Sequence, residues 1–146
     1  MPEGTPSYHR MFPLSAAQLE ASATGHTYRQ GARYAQSAHI TDQLRIGAAL
    51  TGRFHGTRGI YSTRLDVSER TFQFECTCPL GGSREPCKHV IALGVAWLEH
   101  PEAFHDLDLT LSRLAHMSKS DILTLIRQAA QTLPELIRLL NRRRRE

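Results

Sequence analysis

The chain has 146 residues, a formal net charge of +4 and three cysteines. No apolar run approaches the ~20 residues that a membrane-spanning helix needs, and residues 1–13 lack the apolar segment of a signal peptide. Membrane proteins and disulfide-rich secreted proteins are therefore excluded. We expect a cytoplasmic protein, in a reducing compartment where free thiols persist.

The positive charge is concentrated in two segments. Residues 25–64 contain six arginines and one aspartate, and residues 138–146 contain five arginines and one glutamate. Residues 65–137 are net acidic. Such segregation is typical of proteins with a polyanionic partner, although it also occurs on solvated surfaces.

The first predicted element is a short helix from about Ser15 to Thr24. Ser15 and Gln18 have the spacing of a capping box, and Gly25 is suited to end the helix. From Gly25 to Leu44 arginines and tyrosines are interleaved without a clear period. This composition suits phosphate contact combined with base stacking, but tyrosines that cover a sheet edge explain it equally well.

Three strands are predicted next. Residues 44–55 alternate between apolar and polar positions, and this period of two predicts one strand with one buried face. Residues 60–67 and 70–76 predict the second and third strands. The turns between them are short, so the sheet should be an antiparallel meander that ends at Cys76.

All three cysteines lie in one stretch with the pattern C-x-C, eight residues, C-x-H, formed by Cys76, Cys78, Cys87 and His89. Two pairs of such ligands joined by a turn-rich loop predict a closed tetrahedral Zn²⁺ site. Pro86 favours a helix that begins near Cys87. The alternatives are three buried free cysteines and a catalytic zinc, and His100 or His105 could replace His89 as the fourth ligand.

The run from Cys76 to Leu93, CTCP…CKHVIAL, resembles the SWIM zinc finger, which is defined by C-x-C, a variable gap and C-x-H. Lys88 and the apolar residues 90–93 also resemble that family, as does the glycine-rich strand region from about Gly31. The resemblance implies one structural zinc on the four residues of the motif. It also implies binding to DNA or to protein.

Beyond the motif, residues 88–98 predict a buried helix that ends before Pro101, and Trp97 should lie in the core. The acidic segment Glu102–Asp108 predicts an extended or irregular passage. Two further helices, starting near Ser118 and Pro134, predict a C-terminal helical hairpin. Arginines 142–145 form a terminal basic tail.

The predicted fold is α+β. A small antiparallel three-stranded sheet leads into a zinc-bound strand-loop-helix, with a short N-terminal helix and a C-terminal helical hairpin. The expected organisation is an N-terminal extension over residues 1–24, a SWIM-like domain over residues 25–100, and a helical segment with the basic tail over residues 101–146.

The function predicted from these features is non-enzymatic binding of nucleic acid, with DNA favoured over RNA and a nucleoid location if DNA is the ligand. No small-molecule substrate is expected. Arg53, His55 and Arg64 should share the face opposite the core, and Arg58 should lie at a hairpin tip. The candidate contacts to nucleic acid are Arg33, Arg45, Arg53, Arg58, Arg64, Lys88, Arg142, Arg143, Arg144 and Arg145.

Two alternative functions stay open. The C-terminal helices or the finger could dock on a repair, recombination or helicase protein, which would make the chain an adaptor. The zinc thiolates could instead respond to oxidation with release of the metal, which would make it a redox or stress-response protein.

Overall fold

The computed structural model describes residues 12–142. Contacts divide the chain into two compact units, one through Asp108 and one from Leu109 onward. In the first unit the elements are α1 (Ala16–Ala21), α2 (Gly25–Ser37), β1 (His39–Ile46), β2 (Ala49–Gly56), β3 (Gly59–Asp66), β4 (Gln73–Cys76), α3 (Lys88–Glu99), a 3₁₀ turn (Pro101–Ala103) and β5 (His105–Asp106). The second unit contains α5 (Lys119–Thr132) and α6 (Glu135–Arg142), and α4 (Leu107–Ala115) begins just before the boundary.

The predicted α+β class is confirmed, but the sheet over residues 12–142 has five strands in place of three, in the order β4-β3-β2-β1-β5. Strands β1 to β4 are antiparallel neighbours, and β5 pairs with β1 in parallel. The register of β1 on β2 shifts between Thr41 and Leu44, where Asp42 adopts a φ of 52°.

The single strand predicted over residues 44–55 is wrong, because a turn at Gly47 and Ala48 divides it between β1 and β2. Gly47 has a φ of 56°, which a residue without a Cβ adopts readily. The alternation of apolar and polar residues continues across this turn. The sequence pattern therefore gives no sign that β1 ends and β2 begins here. The second and third strands lie as β3 and β4 close to their predicted positions.

The N-terminal helix is confirmed, and the capping box between Ser15 and Gln18 is present. Its predicted end is wrong, because α1 ends at Ala21 and Gly25, expected to stop it, begins α2. The strand region predicted from Gly31 is wrong over its first part, because α2 occupies residues 25–37. The Thr24 hydroxyl caps α2 by accepting the Thr27 N–H at 3.2 Å. A Cβ on Gly31 would lie 2.5 Å from the Ile91 side chain, so this glycine lets α2 pack closely on α3.

Helix α3 is the centre of the core. Its residues from His89 to Trp97 are all buried, because one side packs on the sheet and the other on α1 and α2. The sheet contributes Leu50, Phe54 and Leu65, each with no exposed surface. Trp97 lies in the core as predicted, and its ring is 5.0 Å from that of Phe12.

The extended or irregular passage predicted over residues 102–108 is found in part, because β5 is extended, but it is wrong from Leu107, where α4 begins. Strand β5 adds to the free edge of β1, where the Arg45 guanidinium lies 2.7 Å from the Asp106 carboxylate. Asp108 accepts the Gly47 N–H at 2.7 Å. These polar contacts close the end of the sheet at the β1–β2 turn.

The predicted C-terminal helices are present as α5 and α6. The Ser118 hydroxyl accepts the Asp121 N–H at 3.1 Å and begins α5, as its capping pattern predicted. None of the residues that the structure describes in α4, α5 and α6 is buried. No helix within residues 12–142 has both the length and the apolar character required to cross a membrane.

Candidate metal centre and adjoining basic groove

The four motif residues come together where β4 ends and α3 begins. Cys76 is the last residue of β4, Cys78 lies in the following loop, Cys87 is the N-cap of α3 and His89 is in the first helical turn. Their ligand atoms all lie within 4.8 Å of one another. The group could therefore hold one metal ion, with ligands from a strand, a loop and a helix.

The distances within the cluster fit a tetrahedral ion. The His89 Nδ1 atom lies 3.8 Å from the Sγ atom of Cys76 and 3.8 Å from that of Cys87. Zinc–sulfur and zinc–nitrogen bonds of about 2.3 and 2.1 Å give tetrahedral edges of about 3.6 to 3.8 Å. The two His89 distances match these edges, whereas separations of up to 4.8 Å within the cluster would have to shorten around an ion.

Backbone contacts hold the C-x-C segment on the sheet. The Thr77 N–H donates to the Ser62 carbonyl at 3.1 Å, and the Ser62 N–H donates to the Thr77 hydroxyl at 2.9 Å. The loop then turns back through Gly81, whose N–H donates to the Cys78 carbonyl at 2.9 Å. A Cβ on Gly81 would collide with the Cys76 carbonyl, so the return of the loop requires glycine.

His89 is 5% exposed and is surrounded by aromatic rings. Its ring centroid lies 5.4 Å from Tyr34, 5.3 Å from Phe54 and 5.1 Å from Tyr61. These rings come from α2, β2 and β3. Packing of this kind fixes the ring orientation and keeps Nδ1 directed at the thiols.

Hydrogen bonds among the cysteines distribute their protons unequally. The Cys87 thiol donates to Cys76 and lowers the pKa of Cys76, whereas the same interaction and burial raise the pKa of Cys87. Burial, followed by the neighbouring Cys76, raises the pKa of Cys78. A metal ion that binds here must therefore displace protons from Cys78 and Cys87.

Three of the predicted basic residues line a groove beside this cluster. Arg33 and Lys88 border a depression of about 420 Å³ between α2 and the start of α3. Lys88 and Arg58 border an adjoining cavity of about 610 Å³ that reaches Cys78, Cys87 and His89. We call the two depressions together the basic groove. Arg58 lies in the β2–β3 turn, which confirms its predicted place at a hairpin tip.

The other sheet arginines lie elsewhere and are paired with acids. Arg45 is opposite Leu50 on the core side of the sheet, with a side chain 16% exposed and bound to Asp106. Arg53 and Arg64 share the outer face, as predicted. Arg53 lies 3.6 Å from Asp42 and Arg64 lies 3.4 Å from Asp66.

The other candidate metal ligands and the basic tail lie away from the cluster in sequence, and part of the tail lies outside the described residues. His100 lies beyond the end of α3, 3.2 Å from Glu102, and neither it nor His105 belongs to the cluster. Arg142 is the exposed last residue of α6. Arg143, Arg144 and Arg145 lie outside the described residues.

The ten predicted contacts leave out four residues of the groove, although His55 was predicted on a phosphate-binding face with Arg53 and Arg64. His26 and Arg29 line the first depression from α2, and His39 and His55 line the second. The Thr24 cap and the i, i+4 spacing of Arg29 and Arg33 were the signals that could have identified an exposed helical face. No sequence signal indicated the histidine pair, because it depends on the β1–β2 register.

No protein-family model, curated protein or solved structure matches the chain. The fold and the cluster define an α+β unit with a candidate Cys₃His metal centre at a strand-loop-helix junction.

Proposed function

We propose that the chain is a non-enzymatic SWIM-type module that holds one structural zinc and binds nucleic acid through the basic groove. The observation that carries this proposal is the position of the Cys₃His cluster. The cluster joins the end of strand β4 to the start of the core helix α3. It borders the cavity that Arg58 and Lys88 also line.

The donor set favours zinc. Three thiolates and one imidazole are the ligands of a structural Zn²⁺ site, and four protein ligands leave no position for water. Cys78, Cys87 and His89 are buried, which fits a structural ion more than a catalytic one. Bound zinc would fix the β4–α3 junction and so hold the cavity walls in place.

The charge of the groove supports a polyanionic partner. Among the described residues no aspartate or glutamate lines either depression, whereas four cationic side chains do: Arg29, Arg33, Arg58 and Lys88. Guanidinium groups bind phosphates through paired hydrogen bonds. The arginines paired with Asp42, Asp66 and Asp106 are less suited to this role, because a carboxylate already neutralises them.

A salt-titrated binding assay with matched variants tests the proposal. Arg33→Gln with Arg58→Gln should weaken DNA binding about tenfold and lower the slope of log affinity against log salt by about 1 to 2. Arg53→Gln with Arg64→Gln removes the same charge from the outer face and should leave affinity within about twofold. Equal losses in both pairs, or affinity independent of salt, would contradict the proposal.

A second candidate, a protein-interaction adaptor, is favoured by the helices of the second unit. No described residue of α4, α5 or α6 is buried, although all three helices are amphipathic. Their exposed apolar side chains are Leu111, Leu123, Leu125, Leu133, Ile137, Leu139 and Leu140. Stable association with one protein that resists nuclease and is lost on Leu139→Ser with Leu140→Ser would favour this function.

A further inference from the structure

We infer that the cavity beside the metal centre receives an unpaired base, so that the ligand of the groove is single-stranded nucleic acid. This inference rests on the proposed function, because it specifies the form of the nucleic acid. It depends on a difference in chemistry between the two depressions of the basic groove.

The two depressions form one continuous surface. Tyr34, Ser37 and Lys88 line both of them, so a ligand can extend from one into the other. The first depression is polar, with His26, Arg29 and Arg33 along α2. It offers cationic side chains to a phosphate backbone, and fewer apolar residues line it than line the second depression.

The second depression has a different lining. Ala38, Gly56, Tyr61, Pro79 and Leu80 give it apolar walls, and Arg58 and Lys88 line it as well. Its volume of about 610 Å³ lies within the ordinary range of small-ligand sites. A phosphate alone gains nothing from apolar walls, whereas a base buries its faces against them.

An aromatic surface for stacking is provided by histidine. The rings of His39 and His55 stack at a centroid distance of 4.7 Å, and the Thr41 hydroxyl lies 2.7 Å from His55 Nε2. His39 is the exposed member of the pair. A base could extend this stack within the cavity, since bases stack on histidine rings in single-strand recognition.

Tyr34 is less suited to stacking, because its ring already has neighbours on its faces. It stacks on Phe54 at 5.8 Å, and the Lys88 Nζ atom lies 4.8 Å over its ring. Tyr34 therefore positions Lys88 at the junction of the two depressions. The cation then lies where the backbone of a strand would pass from the polar depression to the apolar cavity.

A duplex cannot use the apolar cavity, because its bases are paired and stacked inside the helix. Single strands expose bases that can be separated and stacked on protein side chains. Only a single strand can place phosphates in the first depression and a base in the second at the same time. The groove should therefore bind single strands more tightly than duplexes.

The test measures affinity of the full-length, metal-loaded chain for four probes. These are a short oligothymidine strand, the same strand annealed to its complement, a strand of equal length made of abasic sites, and oligouridine. We expect the oligothymidine to bind about tenfold or more tightly than the abasic strand or the duplex, the scale of one base stacked on an aromatic ring. Oligouridine differs in the 2′-hydroxyl and the 5-methyl group but keeps a pyrimidine ring that can stack, so it should also bind more tightly than the abasic strand.

Two exposed residues of the cavity wall provide variants with little risk to folding. His39→Ala and Leu80→Ala should each weaken oligothymidine binding about fivefold and leave abasic-strand binding unchanged. Leu123→Ala, which removes an exposed apolar side chain from α5, is the control and should change neither affinity.

The outcomes separate this inference from the proposed function. If the abasic strand or the duplex binds as tightly as oligothymidine and responds to the Arg33 and Arg58 changes, the base site is wrong and nucleic-acid binding stands. If no probe binds in a salt-dependent way, both are wrong.

Discussion

The two ends of the sheet in the first unit are closed by different chemistry. At one end, the metal end, Cys76 meets Cys87 and His89 beside the β2–β3 turn. At the other, the ion-pair end, Arg45 binds Asp106 and the Gly47 N–H binds Asp108. The first end has a cluster of side chains that could hold a metal ion, whereas the second is closed by contacts within the chain.

The comparison shows how a small unit can combine one region held by its own side chains with another whose stability would depend on a bound metal. Both ends join a late segment of the chain to the sheet, α3 at the metal end and β5 at the ion-pair end. Only the metal end adjoins the basic groove. If the proposed function is right, changes in metal supply should therefore act on the basic groove and leave the opposite end in place.

Loss of the metal should have the largest effect. Cys87→Ala removes a ligand and should abolish zinc binding, with a loss of at least ~4 kcal/mol in the free energy of unfolding, since structural zinc contributes of order 10 kcal/mol in finger peptides. Metal content and thermal melting with and without chelator measure this.

His100→Ala is the matched control and should retain one zinc per chain. Amide exchange should increase first at Ser62 and Thr77 when metal is removed, and least near Gly47. Uniform exchange along the sheet would contradict the distinction between the two ends.

The contact between α2 and α3 should give the next largest effect. Gly31→Ala places a Cβ 2.5 Å from the Ile91 side chain and 3.0 Å from the Lys88 carbonyl oxygen. We expect a loss of about 2 kcal/mol from overpacking, measured by urea unfolding. Gln30→Ala, exposed on the same helix, is the control. A gain in stability at Gly31, as expected for a solvent-exposed helical glycine, would show that the helices do not pack this closely.

At the ion-pair end, Arg45→Met should cost about 2 kcal/mol, because it leaves the Asp106 carboxylate half-buried beside the sheet without its cation. Arg53→Met removes an exposed pair and should change stability by less than about 0.5 kcal/mol. Urea unfolding compares the two variants. Zinc content should be unchanged in both, and loss of zinc in Arg45→Met would mean that the two ends are coupled.

The smallest effect concerns Asp66, at the ion-pair end of β3. Hydrogen bonds from Ser68 lower the pKa of Asp66 below its usual value. Its contribution to stability is therefore present above the unfolded-state pKa and is lost as the pH falls through the lower folded-state pKa. Asp66→Asn should reduce stability at neutral pH by about 0.3 kcal/mol, with the difference from wild type disappearing in acid. Asp42→Asn is the exposed control.

The metal cluster was predictable because its residues are close in sequence. The C-x-C and C-x-H pairs fix two short local geometries, and Gly81 and Pro86 mark the loop and the helix start between them. The helices with Ser caps were predictable for the same reason, since capping depends on residues three apart.

Features that depend on distant contacts were not predictable. Helix α2 has a cap signal at Thr24, but the side that packs on the core includes Gly31, Ala32 and Ala35, and such small residues give a weak apolar periodicity. Strand β5 has two residues and exists only through its pairing with β1. The pairing of Arg45 with Asp106 removed one arginine from the expected binding surface for the same reason.

The sheet order described above also bears on aggregation. Exposed strand edges recruit strands from other chains, but here the outer strands β4 and β5 have only four and two residues. The part of β1 that β5 leaves open contains the register shift at Asp42, which bends the edge away from regular pairing. The eight-residue strands β2 and β3 are interior. The fold thus protects the first unit against edge-to-edge polymerisation.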